Sequence, residues 1–363
     1  MAARTALVLQ GGGALGAYEL GAAKALYEEP DFAPDLIAGV SIGAVTAALL
    51  GRPAEGLTPL EALQSFWDEV KEPGFLFPPL LRRYASFFGN PHFYEPRPDF
   101  LNWPNWTYFY SVAPLRRTLA DLINFTSLAD RDAAPELLVS ATDLQDGHIQ
   151  YFHSREQGLT LDHIIASGSL PPAFPSTMIK DGSKERFYWD GGLFDNTPLG
   201  AVLDRLDRAP EARRTIYVIS LFPNKAPPPR NLLQVYARMK DLQFANKTQE
   251  DVKLLKRFNK VVKLVEALEK LPGGNPLKGD AAFEDVKEQG WIEVPEIISV
   301  PPPENVQQFD DSDFSPEAIQ AREDEGYAAT KKELAEAAAR GTDAAPSSSP
   351  SSVRDAEVSS RGG

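Results

Sequence analysis

The chain of 363 residues contains no cysteine, which excludes disulfides, thiolate nucleophiles and cysteine metal sites. A basic footprint is also missing. With a net charge of −14 there is nothing to neutralise a phosphate backbone, so no nucleic-acid partner is expected. The same charge works against electrostatic anchoring on an anionic membrane while leaving hydrophobic insertion open. No run of about 18 uncharged apolar residues occurs, so no membrane span is expected. No apolar stretch with a small-residue cleavage site follows Met1, so no secretory signal is read. The expected location is cytoplasmic, with peripheral membrane contact left open. Histidine is scarce: His92, His148, His153 and His163 form no metal-ligand spacing, and neither a metal nor an organic cofactor is implied. There are no internal repeats.

What is present is a large apolar fraction, 43%, enough for a substantial core. Three glycine-marked loops each follow a short apolar run. The first joins Ala6–Gln10 to a helix over 17–29 through Gly11-Gly12-Gly13-Ala14-Leu15-Gly16. Strand, glycine loop and helix together make an anion-binding nest. Gly11, Gly13 and Gly16 satisfy the dinucleotide fingerprint, but that function expects an acid closing the second strand. The second strand, Leu36–Val40, ends instead in Gly39-Val40-Ser41-Ile42-Gly43, the pattern of a nucleophile elbow. In that case the first loop serves as an oxyanion hole. The plainer role for Ser41 is a helix cap. The third loop is Asp190-Gly191-Gly192, delivered by a strand over 187–189; alone it is an ordinary turn.

A serine nucleophile needs a base within hydrogen-bond reach. On an α/β-hydrolase a histidine base comes last in the chain, after the acid, and here no histidine follows His163. A carboxylate is the other available base, and Asp190, braced by Gly191 and Gly192, is the best placed. Ligands of an open α/β sheet gather at the carboxyl ends of its strands, where the three loops would meet.

Elsewhere, Leu60, Leu63, Phe66, Trp67 and Val70 make the core stripe of a helix. Residues 75–110 are crowded with aromatics and prolines, which suits neither helix nor sheet. This insertion reads as a lid or groove wall, with a packed loop as the plain alternative, and it is the expected place of any peripheral membrane contact. Strands are expected over 135–143, 149–153 and 215–222, and helices over 115–123, 161–169 and 198–206. Beyond Ala226-Pro227-Pro228-Pro229, a continuous helical pattern runs over 233–271. An edge strand over 291–300, a surface helix over 316–340 and a disordered tail from 341 follow.

The blocks Gly11–Gly16, Gly39–Gly43 and Asp190–Gly192, with the serine- and proline-rich stretch Ala166–Pro175 before the last, resemble in order those of the patatin-like phospholipases. The resemblance spans about residues 5–222. It implies a three-layer α/β/α fold with a mostly parallel central sheet, lipid acyl hydrolysis through an acyl-enzyme, and a Ser–Asp dyad without metal. Carried over by position, Ser41 is the nucleophile and Asp190 the general base, and N–H groups around Gly12, Gly13 and Ala14 form the oxyanion hole. Many members carry arginine where this chain has Leu15, which leaves the head group of the substrate open. The expected organisation is a catalytic unit over 5–225, a mainly helical extension over 226–340 packed on it, and the tail over 341–363. Two other functions stay in view: a catalytically silent lipid-binding scaffold, and a nucleotide-binding protein using Gly11–Gly16.

Overall fold

A strand covered on both faces must be apolar on both, and such strands pair in parallel. In the computed structural model, which describes residues 4–71, 88–207, 213–245, 248–271, 274–289, 295–304, 306 and 310–343, the expected runs do so. Strand β1 (Thr5–Leu9) leads through a 3-10 turn, Gly13–Gly16, into helix α1 (Ala17–Tyr27). Strand β2 (Leu36–Gly39) turns at Ser41 into α2 (Ile42–Gly51), every residue of which is buried. α3 (Pro59–Val70) begins at a capping box between Thr58 and Glu61, which satisfies N–H groups that open a helix.

The aromatic insertion follows. Residues 72–87, which include its first part from 75, lie outside the described residues, and the remainder leads into a small ribbon of β3 (Glu95–Pro96) and β4 (Tyr110–Ser111). Next come α4 (Ala113–Leu122), α5 (Phe125–Ala129), β5 (Glu136–Asp143), β6 (Ile149–His153), α6 (Ser154–Gln157) and α7 (Leu161–Ser167). The hairpin β7 (Thr177–Asp181) and β8 (Lys184–Asp190) precedes α8 (Leu199–Arg205) and β9 (Thr215–Ile219). The C-terminal part holds α9 (Leu232–Phe244), α10 (Thr248–Glu269), α11 (Ala281–Gln289), β10 (Glu296–Val300) and α12 (Pro316–Asp343). Among the described residues no helix is long and apolar enough to cross a membrane.

The sheet runs β10-β9-β1-β2-β5-β8-β7, with β6 also on β5. The pairs from β10 to β5 are parallel, and β6, β7 and β8 are antiparallel to their partners. Alternation along β1 builds the layers. Leu7 and Leu9 join Leu20 and Leu26 of α1 and Leu49 of α2 in one core, while Ala6 and Val8 join Leu199, Val202 and Leu203 of α8 in the other. The result is a three-layer α/β/α fold with C-terminal helices added.

Four sequence expectations change. The strand ending at Asp190 is longer than 187–189, because β7 pairs along it. The strand expected over 215–222 stops at Ile219, and beyond it Leu221 and Phe222 turn their N–H groups to the Gln10 side chain instead of a neighbouring strand. The single helix over 233–271 is two helices. α9 stops where the Phe244 carbonyl leaves the helical ladder to accept from Gln10 and Asn196 and Ala245 takes extended ψ. Finally, α12 continues to Asp343; the tail beyond it lies outside the described residues. α12 lies on α1, with Gly326 against the Tyr18 carbonyl and a Lys24–Glu323 ion pair between them.

Candidate active site

The strand register brings the elbow and the aspartate together. β6 pairs along one edge of β5. Along the other edge, β2 pairs as far as Gly39 opposite Val139, and β8 arrives from the opposite direction as far as Asp190 opposite Ala141. Continuing β2 by two residues puts Ser41 level with Ala141, and so beside Asp190. The Ser41 and Asp190 side chains line the same cavity.

The elbow is strained in the way a nucleophile turn requires. Ser41 has φ 56° and ψ −122°, and it is the one non-glycine residue with positive φ among the described residues. The turn closes tightly because Gly39 and Gly43 lack side chains: a Cβ on Gly39 would lie 2.1 Å from the Gly43 carbonyl oxygen. The Ser41 N–H donates to the Ser167 hydroxyl at 2.9 Å.

Asp190 is 2% exposed. Burial pushes its carboxyl up to about 7, against the opposing pull of Ser41 and of the bond from the Gly192 N–H at 2.8 Å. Its own N–H donates to the Ser169 carbonyl at 3.0 Å, and its carbonyl accepts from the Thr142 hydroxyl at 2.8 Å. The serine- and proline-rich stretch therefore holds both sides of the pair, through Ser167 and Ser169. Gly191 packs against Ser140 and Gly192 against Asn196.

The glycine loop lies alongside. Gly12, Gly13 and Ala14 open a 3-10 turn, whose first N–H groups have no partner inside the turn, and none of the three donates to another acceptor among the described residues. Gly16 closes the turn against Ile42. Gly13 has φ 56°, and a Cβ there would stand 2.3 Å from the Asp311 carbonyl oxygen; glycine is required on both counts. Gly11 is held by Asn196, whose side-chain amide donates to the Gly11 carbonyl at 3.0 Å and the Phe244 carbonyl at 3.1 Å. Gln10, fully buried, donates to Thr197 and to the Phe244 carbonyl and accepts from Leu221 and Phe222 N–H.

Ser41, Asp190 and the glycine loop line one cavity of about 260 Å³. Its walls are apolar: Ile42 and Val45 from α2, Ile164 and Ile165 from α7, and Phe93, Tyr94 and Tyr110 from the aromatic insertion. No histidine lines it. His163 instead accepts from the Thr160 N–H, His153 lies 3.8 Å from Glu136, and His92 3.8 Å from Glu69.

Sequence reasoning missed the other half of this cavity. Phe222, Lys240, Phe244, Asp311 and Phe314 also line it, and all but Phe222 come from the C-terminal extension. Lys240 pairs with Asp311 at 2.7 Å, and the Phe314 ring sits 5.2 Å from that of Phe93. One available signal was Gln10, an amide at the end of an otherwise apolar strand, which has to be paid in hydrogen bonds when buried.

A doubly covered sheet with a strained serine, a buried carboxylate and loop N–H groups at its strand ends is an arrangement that can carry out acyl hydrolysis. A family model for patatin-like phospholipases matches residues 7–203, more than half the chain, and the chain belongs to that family. It is accordingly a lipid acyl hydrolase in the broad sense. No curated protein matches the chain. Among solved structures it is similar to VipD from Legionella pneumophila, at 16% identity and a TM-score of 0.38, over 92% of this chain and 67% of that one. At that score the likeness carries no argument about activity.

Proposed function

We propose that the protein hydrolyses carboxylic esters of lipids through a Ser41–Asp190 dyad and an acyl-enzyme. The observation that carries this reading is a strained serine and a buried carboxyl on one cavity with the glycine loop; burial pushes that carboxyl up to about 7, near the value that suits a general base at neutral pH. Ser41 Oγ attacks the ester carbonyl as its proton passes to Asp190. The tetrahedral oxyanion is held by N–H groups of Gly12, Gly13 and Ala14. Its collapse breaks the bond to the alcohol, which leaves with the proton from Asp190. Water then attacks the acyl-Ser41 carbonyl, giving a proton to Asp190. Release of the acid returns that proton to Ser41.

The apolar walls suit an acyl chain. They offer no cations for nucleotide phosphates beyond Lys240, which is already paired, so the dinucleotide reading of Gly11–Gly16 has no further support. The catalytic unit in this proposal is residues 5–225, with 226–340 as an extension that completes the cavity. The test is turnover of p-nitrophenyl esters and phospholipids together with labelling by a fluorophosphonate. Ser41→Ala abolishes both readouts. Asp190→Asn lowers turnover by roughly 10²–10⁴-fold with the fold retained by circular dichroism. Wild-type turnover in either variant sinks the dyad, and absence of labelling in the wild type favours a silent scaffold.

A further inference from the structure

α9 is built the wrong way round for a helix of a free-standing domain. Leu232, Val235, Tyr236, Met239 and Leu242 are all exposed, at 85%, 40%, 62%, 64% and 57%. At 3.6 residues per turn they fall within an arc of about 120°, and no charged residue shares that arc. The opposite side of the same helix carries Lys240 and Phe244 into the cavity. α9 is therefore a wall with the acyl pocket on one side and an uncovered apolar stripe on the other.

The next helix adds charge. The middle of α10 carries Lys253, Lys256, Arg257, Lys260 and Lys263, with its acids Glu250, Asp251, Glu266 and Glu269 at the two ends and Lys253 paired with Glu250 at 2.6 Å, in a chain whose net charge is −14. Its buried side holds Val262 and Val265, while Leu254, Val261 and Leu264 stand exposed among these cations, at 66%, 47% and 66%. Soluble domains rarely leave such apolar area uncovered without a partner. A face combining exposed leucines with clustered lysines matches an anionic bilayer, where headgroups meet the cations and the apolar side chains enter the acyl boundary.

We propose that α9 and α10 form the docking face for an anionic phospholipid surface, which seats the cavity at the bilayer. This face is separate from the contact expected through 75–110, where Phe93, Tyr94 and Tyr110 line the cavity and Phe88 and Phe109 stand exposed. The proposal rests on the lipid acyl hydrolase reading, because it supplies the surface in which the substrate lies. An acidic protein needs such a local basic island, because its net charge alone repels anionic lipid.

The experiment is co-sedimentation of the full chain with phosphatidylglycerol or phosphatidylcholine vesicles, beside hydrolysis of a short soluble p-nitrophenyl ester. Wild type sediments with phosphatidylglycerol vesicles, poorly with phosphatidylcholine, and is released by salt. Lys256→Glu/Arg257→Glu/Lys260→Glu weakens that partitioning roughly 100-fold or more, and Met239→Glu/Leu242→Glu also lowers it. Both retain the wild-type melting temperature and soluble-ester turnover. Equal sedimentation of wild type and both variants overturns the proposal, as does failure of the wild type to bind. Sedimentation of the free protein as a dimer that Met239→Glu/Leu242→Glu converts to monomer also overturns it, in favour of a second copy on the stripe. If no ester is hydrolysed but vesicle binding behaves as stated, the catalytic reading fails and the docking face stands.

Discussion

Arg322, in the last helix, donates through its guanidinium to the carbonyl of Ala14 in the glycine loop, 3.3 Å away. The same side chain donates to the Asp313 carbonyl at 2.6 Å and is 7% exposed. It thus ties the loop to the segment that covers it, and it brings a cation to a loop whose own Leu15 is buried in the core. Arg322→Met removes the donor to the Asp313 carbonyl and the second donor to the Ala14 carbonyl, which keeps the Ala17 N–H, and lowers stability by about 1–3 kcal/mol. By shifting the oxyanion donors it also lowers kcat roughly 10–100-fold with KM little changed. Arg322→Lys restores part of kcat. Steady-state kinetics and denaturant unfolding check this; a loss of stability with kcat intact would assign Arg322 a purely structural role.

The Asp190 carboxyl, held up at about 7 by burial, gives activity and stability opposite slopes. As a base it must be ionised, so kcat/KM rises with pH to a plateau with a midpoint near 7. Its folded pKa lies above that of an unfolded aspartate, so its contribution to stability is full below about pH 4 and is lost as pH rises through about 7. A pH–rate profile on a soluble ester checks the first slope, and a flat profile between pH 5 and about 8 contradicts the proposed role.

Glu19 has the same sign and no role in the proposed chemistry. It is fully buried in α1, accepts from the Thr46 hydroxyl at 2.7 Å, and its second oxygen has no partner among the described residues. Burial pushes its carboxyl up to about 8, so its contribution to stability is full below the pKa of an unfolded glutamate and is lost as pH rises through about 8. Wild-type stability falls as pH rises from about 4 and levels off above about 8, and Glu19→Gln flattens that fall while matching the wild type near its acid end. Melting temperatures of the two proteins across this range are the measurement, and parallel curves would exclude Glu19 as the cause.

Ser41→Gly and Ser41→Ala both delete the hydroxyl, but only glycine relaxes the positive φ. Ser41→Gly is therefore more stable than Ser41→Ala by about 1 kcal/mol, and both are inactive. Urea titration of the pair isolates the backbone strain from the lost hydroxyl.

Residues that must be of one kind in one order were legible in the sequence. Ser41 needs glycine on either side, Asp190 is followed by two more, and the inner strands are continuous apolar runs. The helix break at Phe244 was not, because nothing local ends α9. The break is made by Gln10 and Asn196, far away in the chain, drawing on one carbonyl. Phe222, Phe244 and Phe314 were hidden for a related reason: each reads as ordinary core, and only tertiary packing brings them to one cavity. β7 was missed because a strand with one exposed face, Thr177–Asp181, carries a weak alternation of its own.

The cavity walls run from Gly11 to Phe314, and this sets a timetable for synthesis. Domains form as they leave the ribosome at about 5–20 residues per second, so the serine emerges roughly tens of seconds before Asp311 and Phe314 close over it. A growing chain thus carries Ser41, the proposed nucleophile, before the residues that complete its cavity. In the proposed reading the cavity is complete only once the chain has been made through Phe314.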